Sequence, residues 1–407
     1  MTEVAATGRK PLEGYRVLDL TNVLAGPFCA YQFAMLGAEV IKVETPGTGD
    51  LARVLGADPA LTGQLMGASF LAQNAGKRSI TINLKHEAGK AVLRRLVETA
   101  DVLVENFRPG VMERLGVGHE ALKGVNPRLI YCAISGFGQD GPMRGSPAYD
   151  QIIQGLSGVM SITGDSESAP LRVGYPVADS IGGMTAAFAI AAALAGRERS
   201  GEGAFIDVSM LESTIATMGW VVSNYLIAGQ QPEPIGNDNF TAAPSGAFRT
   251  ADGLLNIAAN KQEQFEALAG LIGRPDLVED ARFARREDRK RHRQDLTIEI
   301  ERALAIDTSA VWEARLNAAG VPAGRVLSVP EALDLPQVRG RGLVHTFEAG
   351  EALDRPLPVA LSGYRFEGAA RDLPCPPPRL GQHTDDILAD AGFSPFEVAE
   401  LKQAGAV

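Results

Sequence analysis

The sequence predicts an α/β protein, a parallel sheet covered by helices, followed by a second and smaller domain. Three observations predict it. Between residues 15 and 135, short β-rich runs alternate with helical stretches of roughly 10–15 residues, the pattern that parallel sheets produce. From about residue 197 that alternation gives way to hairpin and helix signals. At 407 residues the chain is also long for one core, so two domains are the natural prior.

The elements follow in order. "YRVLDLT" (15–21) is the first strand run, and "GPFCAYQFAMLG" (26–37) reads as a helix with Pro27 at its start and Gly37 at its end. "AEVIKVE" (38–44), "SITINL" (79–84), "DVLVENF" (101–107) and "RLIYCAIS" (128–135) are further strands, with a helix from about His86 to Ala100. Parallel sheets bind ligands off the carboxyl ends of their strands. There the chain places "TNVLAGP", "ETPGTGD", "ENFRPG" and "SGFGQDGP". Residues 180–196 carry no charge, and their glycines and alanines suit a helix packed tightly inside protein. "RERSGEGAFIDVSMLES" turns through Gly201 and Gly203 into a short strand and a helix to about Ala228. A loop (229–246), a hairpin around Asp252-Gly253 and helices to about Gly320 make the smaller domain. The tail "LPCPPPRLG" (373–381) leads to two helices, the last opened by a capping box of Ser394 and Glu397 with Pro395 between them.

Composition narrows the function. A hydrophobic content of 45% and a charged content of 22% describe an ordinary soluble protein. The N-terminus has no apolar core of the secretory kind. No run reaches the roughly 18 apolar residues of a membrane helix. Three cysteines without metal spacing suit a reducing cytosol, and five scattered histidines predict no metal site. A net charge of −10 argues against nucleic acid or an anionic membrane as partner. The basic run "RREDRKRHR" (285–293) carries its own acids and reads as a solvated helical face. "GTGDLA" (47–52) imitates a dinucleotide fingerprint, yet it follows the second strand and lacks the acid expected ~20 residues on. The true first strand-to-helix turn, 21–27, has a single glycine, and both features argue against a dehydrogenase.

One carboxylate stands out. Asp179, in "GYPVADSIGGM", lies between two stretches built for a dry interior, where ionisation is costly unless something partners it. It is either the cap of a buried helix or a nucleophile, and the residues alone leave both open. Lys42, in mid-strand, reads as a structural partner of Glu44 or Glu39. Arg108 and Arg144 read equally as ligand cations or plain surface charges.

Taken together, "PLEGYRVLDLTNVLAGPFCAYQFAMLGAEVIKVETPGTGD", "NAGKRSITINLK", "DVLVENFRPGVMERLG", "YCAISGFGQDGP", "AYDQIIQ", "VADSIGGM" and "PPPRLGQHTDDIL" resemble, in this order, the class III CoA-transferases. The likeness runs from about Pro11 to Val407. It implies a Rossmann-like large domain with a parallel sheet, formed by residues 1–225 and 331–407, a smaller α+β domain at 226–330, and an interlocked homodimer. It also implies a cytoplasmic enzyme with no permanently bound cofactor, for which a coenzyme A thioester is a substrate and a free carboxylic acid the acceptor. Asp179 would be the nucleophile, passing through a mixed anhydride and an aspartyl-CoA thioester. Gly182 and Gly183 would let backbone approach that thioester. By the same match Asn22, Val23, Leu24 and Ala25 line the CoA cleft, Lys77 and Arg114 meet phosphate, and Asn106 and Phe107 contact pantetheine or adenine.

Two departures sharpen the resemblance. The loop 236–248 is shorter and poorer in glycine than the loop of oxalate-type members, which directs the expectation to C4–C6 dicarboxylates with succinyl-CoA as donor. Tyr149, followed by Asp150, stands where related racemases carry a histidine, and a phenol with a pKa near 10 is a poor base near neutrality. That favours transfer over the alternative, a 2-methylacyl-CoA racemase using Asp179 as acid and base. Tyr149, Asp150 and Arg172 are the expected substrate contacts, with Arg172 as the cation for a second carboxylate.

Overall fold

The computed structural model describes residues 8–350 and 353–407. They form two compact units. The first takes the described residues up to Val159, then Arg172–Ala228 and Arg339–Val407; the second takes Met160–Leu171 and Gly229–Val338. Residues 160–171, expected in the large domain, thus belong to the small one. Their order of packing is not visible in a pattern of strands and helices.

In the first unit six strands pair in parallel: β1 (Arg16–Asp19), β2 (Glu39–Glu44), β3 (Lys77–Thr81), β4 (Val102–Glu105), β5 (Ile130–Ser135) and β6 (Ala204–Ser209). Their spatial order is β3-β2-β1-β4-β5-β6, the doubly wound arrangement whose crevice opens where the order reverses, between β1 and β4. Alternate side chains serve two cores. Val17, Val40, Val102, Val104 and Cys132 face one, while Leu18, Ile41, Leu103 and Tyr131 face the other. The strand "SITINL" is displaced, since β3 runs from Lys77 to Thr81, Ile82 N–H still donating to the Glu44 carbonyl (2.7 Å).

The uncharged stretch lies inside a 24-residue helix, Val177–Ser200. It is the one helix among the described residues long and apolar enough to cross a membrane, by length and composition. Its Ala178, Ala186, Ile190 and Leu194 sit in the sheet core with the helix Ala25–Met35. Gly183 makes that closeness possible, and Gly182 makes room for Met210. A Cβ on Gly183 would fall 2.3 Å from the Ala25 carbonyl oxygen, and one on Gly182 2.9 Å from Met210 Cγ. The helix expected to end near Ala228 is two, Met210–Thr217 and Trp220–Ala228, broken at Gly219 with φ +44°. The tail crosses back under β3, where Gly76 N–H donates to the Cys375 carbonyl (2.8 Å) and Gly381 N–H to Ser79 Oγ (3.0 Å). Ser394 and Glu397 form their capping box.

The second unit has an antiparallel three-stranded sheet, β7 (Ser245–Arg249), β8 (Leu254–Ala258) and β9 (Ala323–Arg325), with the hairpin turning at Asp252-Gly253. Its helices bury Phe265, Leu268, Leu296, Ile300 and Trp312 against that sheet. The basic run 285–293 is not wholly solvated. Arg289 is buried over the Phe265 ring at 4.3 Å and donates to the carbonyls of Ala243 and Phe283.

Candidate active site

The crevice between β1 and β4 is built by two asparagines. Asn106, just past β4, accepts from Asn22 N–H through Oδ1 (2.8 Å) and donates to the Asn22 carbonyl through Nδ2 (2.9 Å). This clamps the turn after β1 to the turn after β4. The next residue, Val23, has φ +69°, a left-handed conformation that costs a β-branched residue about 1–3 kcal/mol. It is held there by its N–H, which donates to Asp50 Oδ1 at 2.9 Å. The helix Ala25–Met35 then starts at once, so its first turn opens onto the crevice.

Beneath this turn lies a buried charge network. Lys42 Nζ sits 3.0 Å from Asp50 Oδ2 and donates to the Thr21 carbonyl (2.7 Å). Lys77 Nζ pairs with Asp19 Oδ2 (2.8 Å) and donates to the Pro27 carbonyl (3.0 Å). All four charged side chains are buried. Burial would raise the Asp19 carboxyl, but Lys42 and Lys77 outweigh it and hold it well below the usual range. Burial also pulls the Lys77 ammonium down to about 8, against the pull of Asp19.

At the start of the helix Val177–Ser200 two acids divide the labour. Asp150, itself 6% exposed, accepts through Oδ1 from the backbone N–H of Ala178 (2.9 Å) and Asp179 (3.4 Å). Its Oδ2 accepts from Gln154 Nε2 (2.7 Å) and lies 3.5 Å from Arg172. Asp150 is therefore the cap. Asp179 is only half-buried, and among the described residues no group donates to its carboxylate. Burial first, and the Asp150 charge second, push its carboxyl up to about 7. An acid so placed has its charge least stabilised where the cavity begins.

Asp179 opens onto a cleft of about 300 Å³. Asn22 to Ala25, Asn106, Phe107 and Tyr149 share its wall with Met210 and residues 134–137. Two arginines, Arg108 and Arg144, line it as well, and neither pairs with an acid among the described residues. Asn22 and Phe107 also wall a second cavity of about 460 Å³ that runs along the ends of β1, β2 and β3 to Lys85. The two spaces thus meet at one asparagine and one phenyl ring.

The chain matches the model of CoA-transferase family III over residues 12–384. It belongs to that family. The transferase is 42% identical over 366 residues to an acetyl-CoA:oxalate CoA-transferase of Acetobacter aceti, covering 89% of this chain and 92% of that relative. It is 37% identical over 381 residues to a succinyl-CoA:glutarate CoA-transferase of Mus musculus, covering 94% of this chain and 86% of that one. A CAIB/BAIF family protein from Brucella suis, solved by crystallography, matches with a TM-score of 0.83 at 34% identity, covering 94% of this chain and 100% of that one.

Of the residues expected in the transferase's site, the cleft gathers Asn22, Val23, Leu24, Ala25, Asn106, Phe107, Tyr149 and Asp179. Four others stand elsewhere. Lys77 is spent on Asp19 and Pro27 beneath the turn and does not reach the cleft. It opens β3, whereas ligands meet the carboxyl ends of strands; Lys85, just past that end, lines the second cavity instead. Arg114 is exposed on the short helix Val111–Arg114, of which Val111 faces the second cavity. Asp150 is buried behind Asp179 as its cap. Arg172 is half-exposed and lies against Asp150, so the cations facing the cleft are Arg108 and Arg144. Both follow a strand end in the sequence, which was the signal available.

Proposed function

We propose that this CoA-transferase moves CoA from succinyl-CoA to a C4–C6 dicarboxylic acid, with Asp179 as nucleophile. The observation that carries the reading is an acid in the cleft with no internal donor, beside a second acid that has taken over the capping role. An Asp179 oxygen attacks the thioester carbonyl and expels CoA thiolate, leaving a mixed anhydride. The thiolate attacks the aspartyl carbonyl, releases the donor as its carboxylate and leaves an aspartyl-CoA thioester. The acceptor carboxylate attacks that thioester, expelling thiolate and forming a second anhydride. Thiolate then takes the acceptor acyl group and returns Asp179 as a carboxylate. Covalent catalysis divides one hard exchange into easier steps, and a half-buried site limits hydrolysis of the anhydrides.

The cavities support a division of the substrate. The nucleotide end of CoA fits the second cavity beside Lys85, and pantetheine passes Asn22 and Phe107 toward Asp179. Arg108 and Arg144 are suited to a carboxylate, because guanidinium forks match carboxylate oxygens. Both relatives described above are named for dicarboxylate acceptors. A cytoplasmic homodimer completes the proposal. Free cysteines at 29, 132 and 375 accord with a reducing compartment, and exposed Phe188, Trp220, Leu226 and Ile227 offer apolar surface to a second copy.

The test is to trap the covalent species. Incubation with acyl-CoA and no acceptor should leave the mass of CoA on the peptide containing Asp179, and hydroxylamine should release CoA as its thiol and leave Asp179 as a hydroxamate. An adduct on cysteine, or none during turnover, would refute the nucleophile. Acids from oxalate to adipate, supplied with succinyl-CoA and read by mass spectrometry, rank the acceptors. Rapid deuterium entry at the α-carbon of a 2-methylacyl-CoA would favour the racemase instead.

A further inference from the structure

A second cavity of the first unit lies away from the crevice. It holds about 420 Å³ and is lined by Lys10, Met35 and residues of the segment 339–372. Met35 ends the helix whose first turn opens onto Asp179. An 11-residue helix rises 1.5 Å per residue, so the two openings stand roughly 15 Å apart.

Its charge is its unusual feature. Lys10, Arg339, Arg341, Arg365 and Arg371 surround the space, in a chain whose net charge is −10. The one acid in the lining among the described residues, Asp372, is bound to Lys10 at 2.9 Å. Arg341 and Arg365 are exposed and form no ion pair among the described residues. Arg371 is fixed in the wall, donating to the carbonyls of Arg341 and Ser362. Its Nε is buried without a hydrogen-bond partner among the described residues. Burial, with Arg365 and Arg341 as neighbours, draws the Arg371 guanidinium below its usual value. Like charges crowded together repel unless an anion joins them. Two rings stand at the same opening, Tyr364 and Phe366, 39% and 49% exposed and 5.8 Å apart edge to face.

We propose that this cavity binds a nucleoside polyphosphate, its phosphates held by the arginines and its base against Tyr364 or Phe366. Guanidinium forks bind phosphate oxygens in pairs, aromatic rings offer a base a stacking face, and the volume falls within the range of small-molecule sites. The same chemistry comes from a free nucleotide or from the nucleotide end of a second CoA molecule.

Calorimetry on the full-length protein separates these. With one equivalent of CoA already bound, ATP should bind one per chain. The double variant Arg341→Ala/Arg365→Ala should weaken that binding at least about tenfold while its transfer rate without ATP stays within about twofold. Photolabelling with 8-azido-ATP beside bound CoA gives an answer independent of any variant, and should mark the peptide 361–371. A second equivalent of CoA bound by the wild type and lost in the variant supports the site, with CoA as the source. Complete displacement of ATP by one equivalent of CoA, equal affinity in the variant, or label confined to residues 20–25 and 82–115 would overturn the proposal. Tripolyphosphate binding as tightly as ATP would overturn the part assigned to the rings.

Discussion

Two sets of acids lie beside the same crevice and are treated in opposite ways. Under the turn after β1, Asp19 and Asp50 each face a lysine, Lys77 and Lys42. At the helix start beyond it, Asp179 faces another acid, Asp150, and receives no donor. The first set is compensated and holds Val23 in a conformation it would not otherwise keep. The second leaves one carboxylate under-compensated at the mouth of a cavity. Compensated burial makes scaffold, and under-compensated burial makes reactivity.

The largest effect is expected from Asp179→Ala. Transfer should fall by at least about four orders of magnitude, since alanine forms no anhydride, while CoA binding measured by calorimetry is retained. Retention of more than about one per cent of the rate would remove the proposed nucleophile. On the scaffold side, Lys77→Met should leave Asp19 beside Lys42 alone, at 3.7 Å. Removing one partner of a buried pair costs about 3–5 kcal/mol. Denaturant unfolding should show that loss; a loss below about 1 kcal/mol would mean the network is not scaffold.

The sequence carried this contrast only halfway. The order of strands and helices, the crevice turns and Asp179 were legible because each follows from periodicity, turn chemistry or a resemblance carried on local motifs. The partners were not. Lys77 was expected at phosphate from the family resemblance alone, and only the fold shows its ammonium against Asp19. Gly182 and Gly183 looked open, yet their missing Cβ atoms are what lets Ala25 and Met210 approach. Asp150 precedes Asp179 by 29 positions, so nothing local announced that it would cap the other's helix. Pairings across long sequence separation are set by topology, and a single sequence does not display them.

Arg108→Ala and Arg144→Ala should each raise the KM for the acceptor acid about 10–100-fold with little change in KM for acyl-CoA, the loss of one charged hydrogen-bonded contact. A monocarboxylic acceptor should lose less than a dicarboxylic one; equal losses would remove the arginines from acid recognition. Asp179→Ala should also stabilise the fold. The Asp179 carboxyl stands at about 7 folded and near 3.9 unfolded, so the folded chain binds the extra proton between those values. Stability is lost as pH rises through that window. The full shift corresponds to about 4 kcal/mol; solvent at this half-buried site screens part of it, so removing the acid should restore about 1–2 kcal/mol at pH 8 and nothing near pH 4. Melting curves of variant and wild type that run parallel across pH would contradict the shift.

The smallest effect separates the two causes of that shift. Asp150→Asn keeps an oxygen that can accept from Ala178 and Asp179 N–H, so the helix cap survives, and it removes the negative charge beside Asp179. Burial, the larger cause, is untouched. The acid limb of kcat/KM in the wild type should lie near 7, because the proposed nucleophile must be ionised. In the variant that limb should move down by less than about one unit, raising the relative rate at pH 6 several-fold without changing the plateau above pH 8. The affinity for CoA should not change, since Asp150 lies behind the cleft wall. A limb that falls all the way to about 4 would make the neighbouring charge the whole cause. Asp179 would then differ from Asp19 and Asp50 only in the sign of its neighbour. A limb that does not move would assign the shift to burial alone, and leave Asp150 no role beyond the cap.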